Sequence, residues 1–183
     1  MSADHGYLMR QIAKGDKRAF AKLYRELETP TLRFIQSRLN DPFEANDILH
    51  DVFMEIWRSA GKFEGRSMVR TWVFGIAYRK TMDAFRKKKR VEVWSDIPEQ
   101  PDPSESADMV LNATQEARHL RSCIDCLSSE HRLAISLAFY EDMTYEEIAE
   151  VAGVPSGTIK SRVFHAKKLL LQCLKARVAR QAI

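Results

Sequence analysis

At 183 residues the chain has room for one or two compact units, and with 45% hydrophobic and 30% charged residues it is too apolar for a disordered chain. No apolar run approaches the roughly 18 residues that a bilayer crossing needs, and Met1 to Phe20 lacks the apolar core of a secretory signal, so no membrane insertion is expected and the expected compartment is the cytoplasm. The net charge of +4 conceals a division: residues 1–90 carry 19 Lys and Arg against 11 Asp and Glu, residues 91–117 carry seven acidic residues and no Lys or Arg, and residues 118–183 carry 10 against 7.

Two basic blocks around an acidic strip suggest two nucleic-acid-facing units, 1–90 and 118–183, joined by a tether of opposite sign, 91–117. The first unit reads as helices throughout. Asp16 can cap a helix whose Phe20, Leu23, Tyr24 and Leu27 share one face. Pro30 is expected in a break or at a new helix start, with Leu32, Phe34, Ile35 and Leu39 following. Asn40-Asp41-Pro42 is a turn signal. A helix from about 43 to 59 follows, with Ile48, Val52, Phe53, Ile56 and Trp57 at helical spacing. Gly61 and Gly65 bracket a loop, and a further helix is expected from about 67 to 89, with Trp72, Val73, Ile76, Ala77 and Met82 on its apolar side. It ends in the consecutive cations Arg86-Lys87-Lys88-Lys89-Arg90, which suit the negative end of a helix dipole. Pro98, Pro101 and Pro103 make about 91–108 an extended linker, with helix resuming near Met109. No window alternates apolar and polar residues as a strand would, so the fold class is all-α, two small helical domains on an acidic linker.

In the second unit Leu120, Ile124 and Leu127 form one stripe, and His131 to Phe139 a second helix supplied by Leu133, Ile135, Leu137 and Ala138. Residues 143–171, MTYEEIAEVAGVPSGTIKSRVFHAKKLLL, then read as a helix-turn-helix. Thr144 and Glu147 have the spacing of a capping box. Ala152-Gly153-Val154 makes the turn, with Gly153 free to take a left-handed conformation. Pro155 and Ser156 suit the next helix start. In that helix Ile159, Val163, Ala166 and Leu170 should face inward, leaving Lys160, Ser161, Phe164, His165, Lys167 and Lys168 outward, the small polar, cationic and aromatic mixture that a major-groove reader uses. Ser156, Gly157 and Thr158 let the helix end approach phosphate, and Arg162 can reach a flanking one.

With GDKRAFAKLYRE (15–26), ANDILHDVFMEIWR (45–58), FEGRSMVRTWVFGIAYRKTMDAFRKKKR (63–90) and the helix-turn-helix in this order, nearly the whole chain resembles the extracytoplasmic-function (ECF) sigma factors of the sigma-70 family. The resemblance implies a region 2 bundle (1–90), an acidic linker and a region 4 helix-turn-helix (118–183) in a dissociable subunit of bacterial core RNA polymerase that directs promoter recognition, DNA melting and initiation. It implies that Asp47, His50, Asp51 and Glu55 contact core polymerase; Asp47, Asp51 and Glu55, four apart, make one acidic stripe for a basic partner. It implies that Phe63, Arg66, Trp72, Arg79, Lys80, Arg86, Lys87 and Lys88 hold the −10 promoter element, since strand opening needs aromatic surfaces for bases and cations for phosphates. Trp72, at helical spacing with Ile76, reads as core rather than as a stacking platform, so Phe63, in the loop, and Arg79, on the polar side, are the better candidates for a flipped base. For the −35 element it implies Lys160, Ser161, Phe164 and His165 toward bases, with Ser156, Thr158, Arg162 and Lys167 toward the backbone. An anti-sigma partner is implied as well. The sequence departs from the family where His50 stands for a usual Gln, Arg79 for a frequent Asn and His165 for a frequent Arg, and the last two bear on base preference.

Cys123, Cys126 and Cys173 form no disulfide framework, and a reducing cytosol would keep them as thiols. His119, Cys123 and Cys126 have H-x3-C-x2-C spacing and share a helix face, which opens a metal or redox reading; against it, Leu120, Ile124 and Leu127 share that helix and a structural zinc needs a fourth ligand, for which only His131 is near. The expectation is no metal and no cofactor. No phosphate-cradling glycine loop, nucleophile elbow or dense carboxylate cluster argues for an enzyme. The competing reading is a stand-alone repressor, but an acidic docking helix followed by an aromatic and cationic one has no use there.

Overall fold

The computed structural model describes residues 3–39, 41–94 and 115–179, and among them every regular element is helical. The first group comprises α1 (Ala3–Ile12), α2 (Lys17–Gln36), α3 (Pro42–Ser59), a 3-10 turn (Ala60–Lys62) and α4 (Val69–Trp94). The second comprises α5 (Gln115–Asp125), α6 (Ser129–Phe139), α7 (Tyr145–Ala152) and α8 (Ser156–Ala179).

Caps and apolar stripes set the first group. Asp16 accepts from the backbone N–H of Arg18 at 2.8 Å and of Ala19 at 3.2 Å, satisfying two donors that the start of α2 would otherwise leave open. Asp41 does the same for Phe43 and Glu44, with Pro42 at the first helical position, where its missing N–H costs nothing; Asn40 lies outside the described residues. Pro30 neither breaks nor starts a helix, contrary to the expectation: α2 runs through it. An interior proline forfeits one hydrogen bond, but Leu23, Leu27, Thr31, Phe34 and Ile35 are all buried, on both sides of the proline, and that shared face keeps the helix continuous. α1, which the sequence reading had not placed, contributes Leu8, Met9 and Ile12 to the same core. The side chains of Phe20, Tyr24, Phe53 and Trp57 meet between α2 and α3 with ring centroids 4.4–6.5 Å apart.

α4 outlasts its expected end near 89 and continues to Trp94, so the stretch expected to be extended linker from 91 begins as helix. The expected resumption near Met109 lies outside the described residues, and α5 is described from Gln115.

In the second group α8 packs against α5, α6 and α7. Ser128 caps α6 through the His131 N–H, and Thr144 and Glu147 complete the capping box at the start of α7. Gly153 ends α7 at φ +66°, the left-handed conformation expected of it. One further correction concerns the cysteines. Cys123 of α5 and Cys173 of α8 form a disulfide, their Cα atoms 5.8 Å apart, and Cys126 is the free, exposed thiol among the described residues. The two helices bring together side chains 50 positions apart, a proximity that spacing along the chain does not encode.

The two groups touch. α7 lies against α4, and the buried apolar residues of both groups form one connected core.

Candidate nucleic-acid interface

The helix-turn-helix delivers its side chains as its periodicity requires. Ile159, Val163 and Ala166 are buried and Leu170 half-buried, so the opposite face of α8 is turned out. Lys160, Ser161, Phe164 and His165 are exposed on it, with Phe164 and His165 edge to face at 5.5 Å. Phe164 is 66% exposed, a large apolar ring left in solvent with nothing in the fold to justify it. Ser156 is exposed at the helix start and Thr158 half-buried behind it. Lys167 places its ammonium 4.8 Å from the Phe139 ring centroid, and Arg162 is half-buried. The Glu130 carboxyl is held below its ordinary range chiefly by its own backbone N–H near the start of α6, with smaller help from Ser128 and Arg162.

The face running from the loop into α4 is built differently. Phe63 and Trp72 are both half-buried, ring centroids 5.4 Å apart, and both rest on the core, so neither is free of it. Arg66 is exposed, 2.5 Å from Glu64. Arg79 is exposed, and its guanidinium lies above Gly75, where an added Cβ would come to 3.6 Å. Arg86 pairs with Asp83 one turn back, while Lys87 and Lys88 are exposed. Lys80 is not free for phosphate in this arrangement: its ammonium lies 2.8 Å from Glu55 of α3.

That pair also changes the acidic stripe. Asp47, His50 and Asp51 project from α3 into solvent, whereas Glu55 is half-buried against Lys80. Four residues expected to act together thus divide into three open ones and one tied to the neighbouring helix.

The metal reading loses a ligand. The Cys123 sulfur is bonded to Cys173, His119 is half-buried, and no group of three or more His, Cys, Asp or Glu among the described residues is arranged to hold an ion.

Sequence reasoning missed a cluster where the two helical groups meet. Arg70 of α4 donates from Nη1 to the Glu141 carbonyl at 2.7 Å and from Nη2 to the Glu141 carboxylate. Thr71 donates to Glu147 at 3.2 Å. Arg132 donates to the Ser37 carbonyl at 3.4 Å, and Arg38 is buried with its guanidinium over the Phe34 ring at 4.7 Å. Burial pushes the Arg38 guanidinium down to about 10; the Tyr78 phenol opposes the shift and the Arg132 charge adds to it. Arg38 Nε and Nη2 and Arg132 Nε find no acceptor among the described residues. These partners are 71, 76 and 95 positions apart, so no local pattern announces them.

Residues 23–91 match the family described as Sigma-70 region 2, and residues 117–170 the family described as Sigma-70, region 4. An ECF RNA polymerase sigma factor SigK of Mycobacterium sp. (strain JLS) is 30% identical over 179 residues, which cover 95% of this chain and 92% of that protein. One from Mycolicibacterium vanbaalenii is 29% identical over 181 residues, 95% of this chain and 91% of that protein. Among solved structures, the sigma factor RpoE from Bartonella quintana, crystallised with the anti-sigma factor NepR, is 27% identical with a TM-score of 0.66, over 84% of this chain and 97% of that one. CnrH, in complex with the cytosolic domain of CnrY, shares the fold at a TM-score of 0.71 and 22% identity, over 94% of this chain and 98% of that one.

Proposed function

This chain belongs to the ECF RNA polymerase sigma factors of the sigma-70 family, and from that membership we propose how its surfaces divide the work. As a sigma factor it joins core RNA polymerase and directs initiation at promoters; it is a transcription initiation factor, and the chemistry of RNA synthesis stays with the polymerase. Among the described residues no helix is long and apolar enough to cross a membrane, and we read its place of action as the cytoplasm, where promoter and polymerase are.

The exposed face of α8 carries the reading. Lys160, Ser161, Phe164 and His165 stand out over a seam of buried Ile159, Val163 and Ala166, which fixes the register of the reader face. These four meet base edges of the −35 element, and Ser156, Thr158 and Lys167 meet its backbone. Arg162, half-buried, is a further backbone contact. On α4, Arg79 and the exposed Lys87 and Lys88 hold the strands of the −10 element, and the Phe63 and Trp72 pair, anchored in the core at one edge, offers the other edge to an unstacked base. Asp47, His50 and Asp51 form the polymerase-facing patch of α3. The acidic residues from 91 to 117 tether the two units. An anti-sigma factor restrains the protein; the Bartonella relative crystallised with one supports this.

The test is reconstituted transcription with bacterial core polymerase over a randomised promoter library. Initiation from promoters sharing two spaced elements is expected. Asp51→Arg should abolish association with core polymerase while circular dichroism stays native, because Asp51 is exposed and its reversal disturbs no buried contact. Unchanged association would remove α3 from the docking role, and initiation from no template would reject the whole assignment.

A further inference from the structure

We propose that Arg38 and Arg132 bind a small tetrahedral oxyanion of the phosphate class where the end of α2 meets α6. Neither residue belongs to the faces assigned to DNA or to polymerase.

Two ionisable residues stand in the buried set of the described residues, Glu141 and Arg38. A buried charge is stable only when it is paired and hydrogen-bonded. Glu141 meets that condition through Arg70. Arg38 does not: it is 7% exposed, and its Nε and Nη2 find no acceptor among the described residues. The seam between the two helical groups is therefore well satisfied at Arg70 and frustrated at Arg38. Nε and Nη2 are the two donors along one edge of the guanidinium, the parallel pair that grips two oxygens of an oxyanion. The planar group is held by aromatic rings instead, its centre 4.7 Å from the Phe34 centroid and 5.7 Å from that of Tyr78. Its faces are packed while its binding edge is unanswered.

Arg132 supplies a third donor. Its Nη1 donates to the Ser37 carbonyl at 3.4 Å, and its Nη2 to the Asp125 and Leu127 carbonyls at 2.6 and 3.2 Å. Its Nε has no acceptor among the described residues. The carbonyls at the ends of α2 and α5 would repel an anion, and the Nη groups of Arg132 answer them. Arg38 and Arg132 are neighbouring like charges, and an anion between them replaces one repulsion by two attractions. Three N–H groups on two residues suit an anion with at least three oxygens, where a carboxylate has two. The carboxylates nearby are Glu130, which acts on Arg38 through its charge, and Glu44; neither reaches the unanswered edge. Arg38 also lines a cavity of about 70 Å³, with Glu44, Phe85 and Lys88 among its walls. That is room for several water-sized groups, beside a further cation. The edge atoms themselves are shut off from solvent, which favours a free ion over a phosphate carried on a DNA backbone.

The test uses the full chain, with inorganic phosphate as the probe and chloride at matched ionic strength as the reference. The melting temperature of the native chain should rise saturably with phosphate, as mass action requires of a bound ligand. Exclusion of phosphate from protein surfaces also stabilises, but it does not saturate and takes no account of Arg38. Arg38→Met needs no counter-ion and should lose the saturable part altogether. Arg38→Lys keeps the charge but not the fork and should weaken binding about tenfold, the loss of one charge-assisted hydrogen bond. Arg132→Lys, without its Nε, should weaken it by less. Lys14→Ala removes an exposed cation before α2 begins, a helix length of roughly 30 Å from Arg38, and should leave the response intact. Affinity for a forked −10 duplex separates the sources of phosphate. With a free ion it is the same for Arg38→Met and the native chain, whereas with a backbone phosphate it falls and inorganic phosphate competes with the duplex. A rise that never saturates and is equal in the native chain and Arg38→Met would overturn the site, and so would a response lost equally on Lys14→Ala. Should Arg38→Met fail to fold, Arg38→Lys and Arg132→Lys decide by the same measure.

Discussion

α4 and α8 are the two long helices whose outward faces are assigned to DNA, and the fold prepares them in opposite ways. On and beside α4 four cations are answered from within, Arg66 by Glu64, Arg70 by Glu141, Lys80 by Glu55 and Arg86 by Asp83, while Arg79, Lys87 and Lys88 stand exposed. On α8 Lys160, Ser161, Phe164 and His165, the residues proposed to meet bases, stand in solvent, and the far half of the helix is bonded to α5 through Cys173. One face stands open, and the other mixes cations paired within the fold with open ones.

The contrast breaks most visibly if the covalent tie of α8 is removed. Cys173→Ser, or a thiol reductant on the native chain, frees a loop of about 50 residues, for which chain entropy gives a loss of up to about 4 kcal/mol. Circular dichroism reports every helix, whereas Trp57, Trp72 and Trp94 all lie on α3 and α4. In a denaturant titration the helical signal of the second group should therefore be lost at lower denaturant, ahead of the tryptophan signal. A helical transition unmoved by reduction would mean the bond adds nothing to the hold on α8.

Next in size is the frustrated end of the seam. Arg38 is buried and its guanidinium is pushed down to about 10, mainly by burial. The sign is that of a base destabilised in its charged form. The unfolded chain keeps that proton more tightly, so this group subtracts from stability at neutral pH, and stability recovers as pH rises through about 10. Arg38→Met should thus raise stability at pH 7 by about 1–3 kcal/mol, with Met retaining the apolar contact on Phe34, and it should flatten that alkaline recovery. A fall in stability would show that the stacking on Phe34 outweighs the burial.

How much of this could be read in advance depended on range. Where burial is decided within one turn, as for Ile159, Val163 and Ala166 against Lys160 and Phe164, the 3.6-residue period was sufficient, and so were the caps at Asp16, Asp41 and Thr144. Pro30 shows where a local rule loses: a single missing hydrogen bond is outweighed by a buried face on either side of it. The Cys123–Cys173 bond and the Arg70–Glu141 contact lay beyond any local rule, because their members meet only after helices pack. For the same reason the acidic stripe of α3 looked four residues long until Lys80 arrived from α4 to take Glu55 out of it.

A smaller change sharpens the account of the open face. Lys160 is exposed, so its removal costs the fold nothing that depends on burial. Lys160→Ala should weaken binding to −35 duplex by about 1 kcal/mol if the ammonium meets a base edge, and the loss should vary with the base at one position. If it meets phosphate instead, the loss should be the same on every sequence, and the slope of log affinity against log salt should fall by about 0.9. Unchanged affinity on all sequences would take Lys160 off the interface.

The smallest expected effect decides which helix Glu55 serves. Its pair with Lys80 lies partly in solvent, so Glu55→Gln should cost below about 1 kcal/mol of stability. What matters is the direction of the two binding readouts. With Glu55 engaged by Lys80, the polymerase-facing charge of α3 resides in Asp47 and Asp51, and Glu55→Gln should leave polymerase affinity nearly unchanged where Asp51→Arg abolishes it. Release of Lys80 should at the same time modestly strengthen binding of the −10 duplex and steepen its salt dependence, because one more ammonium becomes available to phosphate. Should polymerase affinity instead fall and DNA binding stay fixed, Glu55 leaves Lys80 for the polymerase in the complex, and α4 gains its cation only once the larger partner is bound.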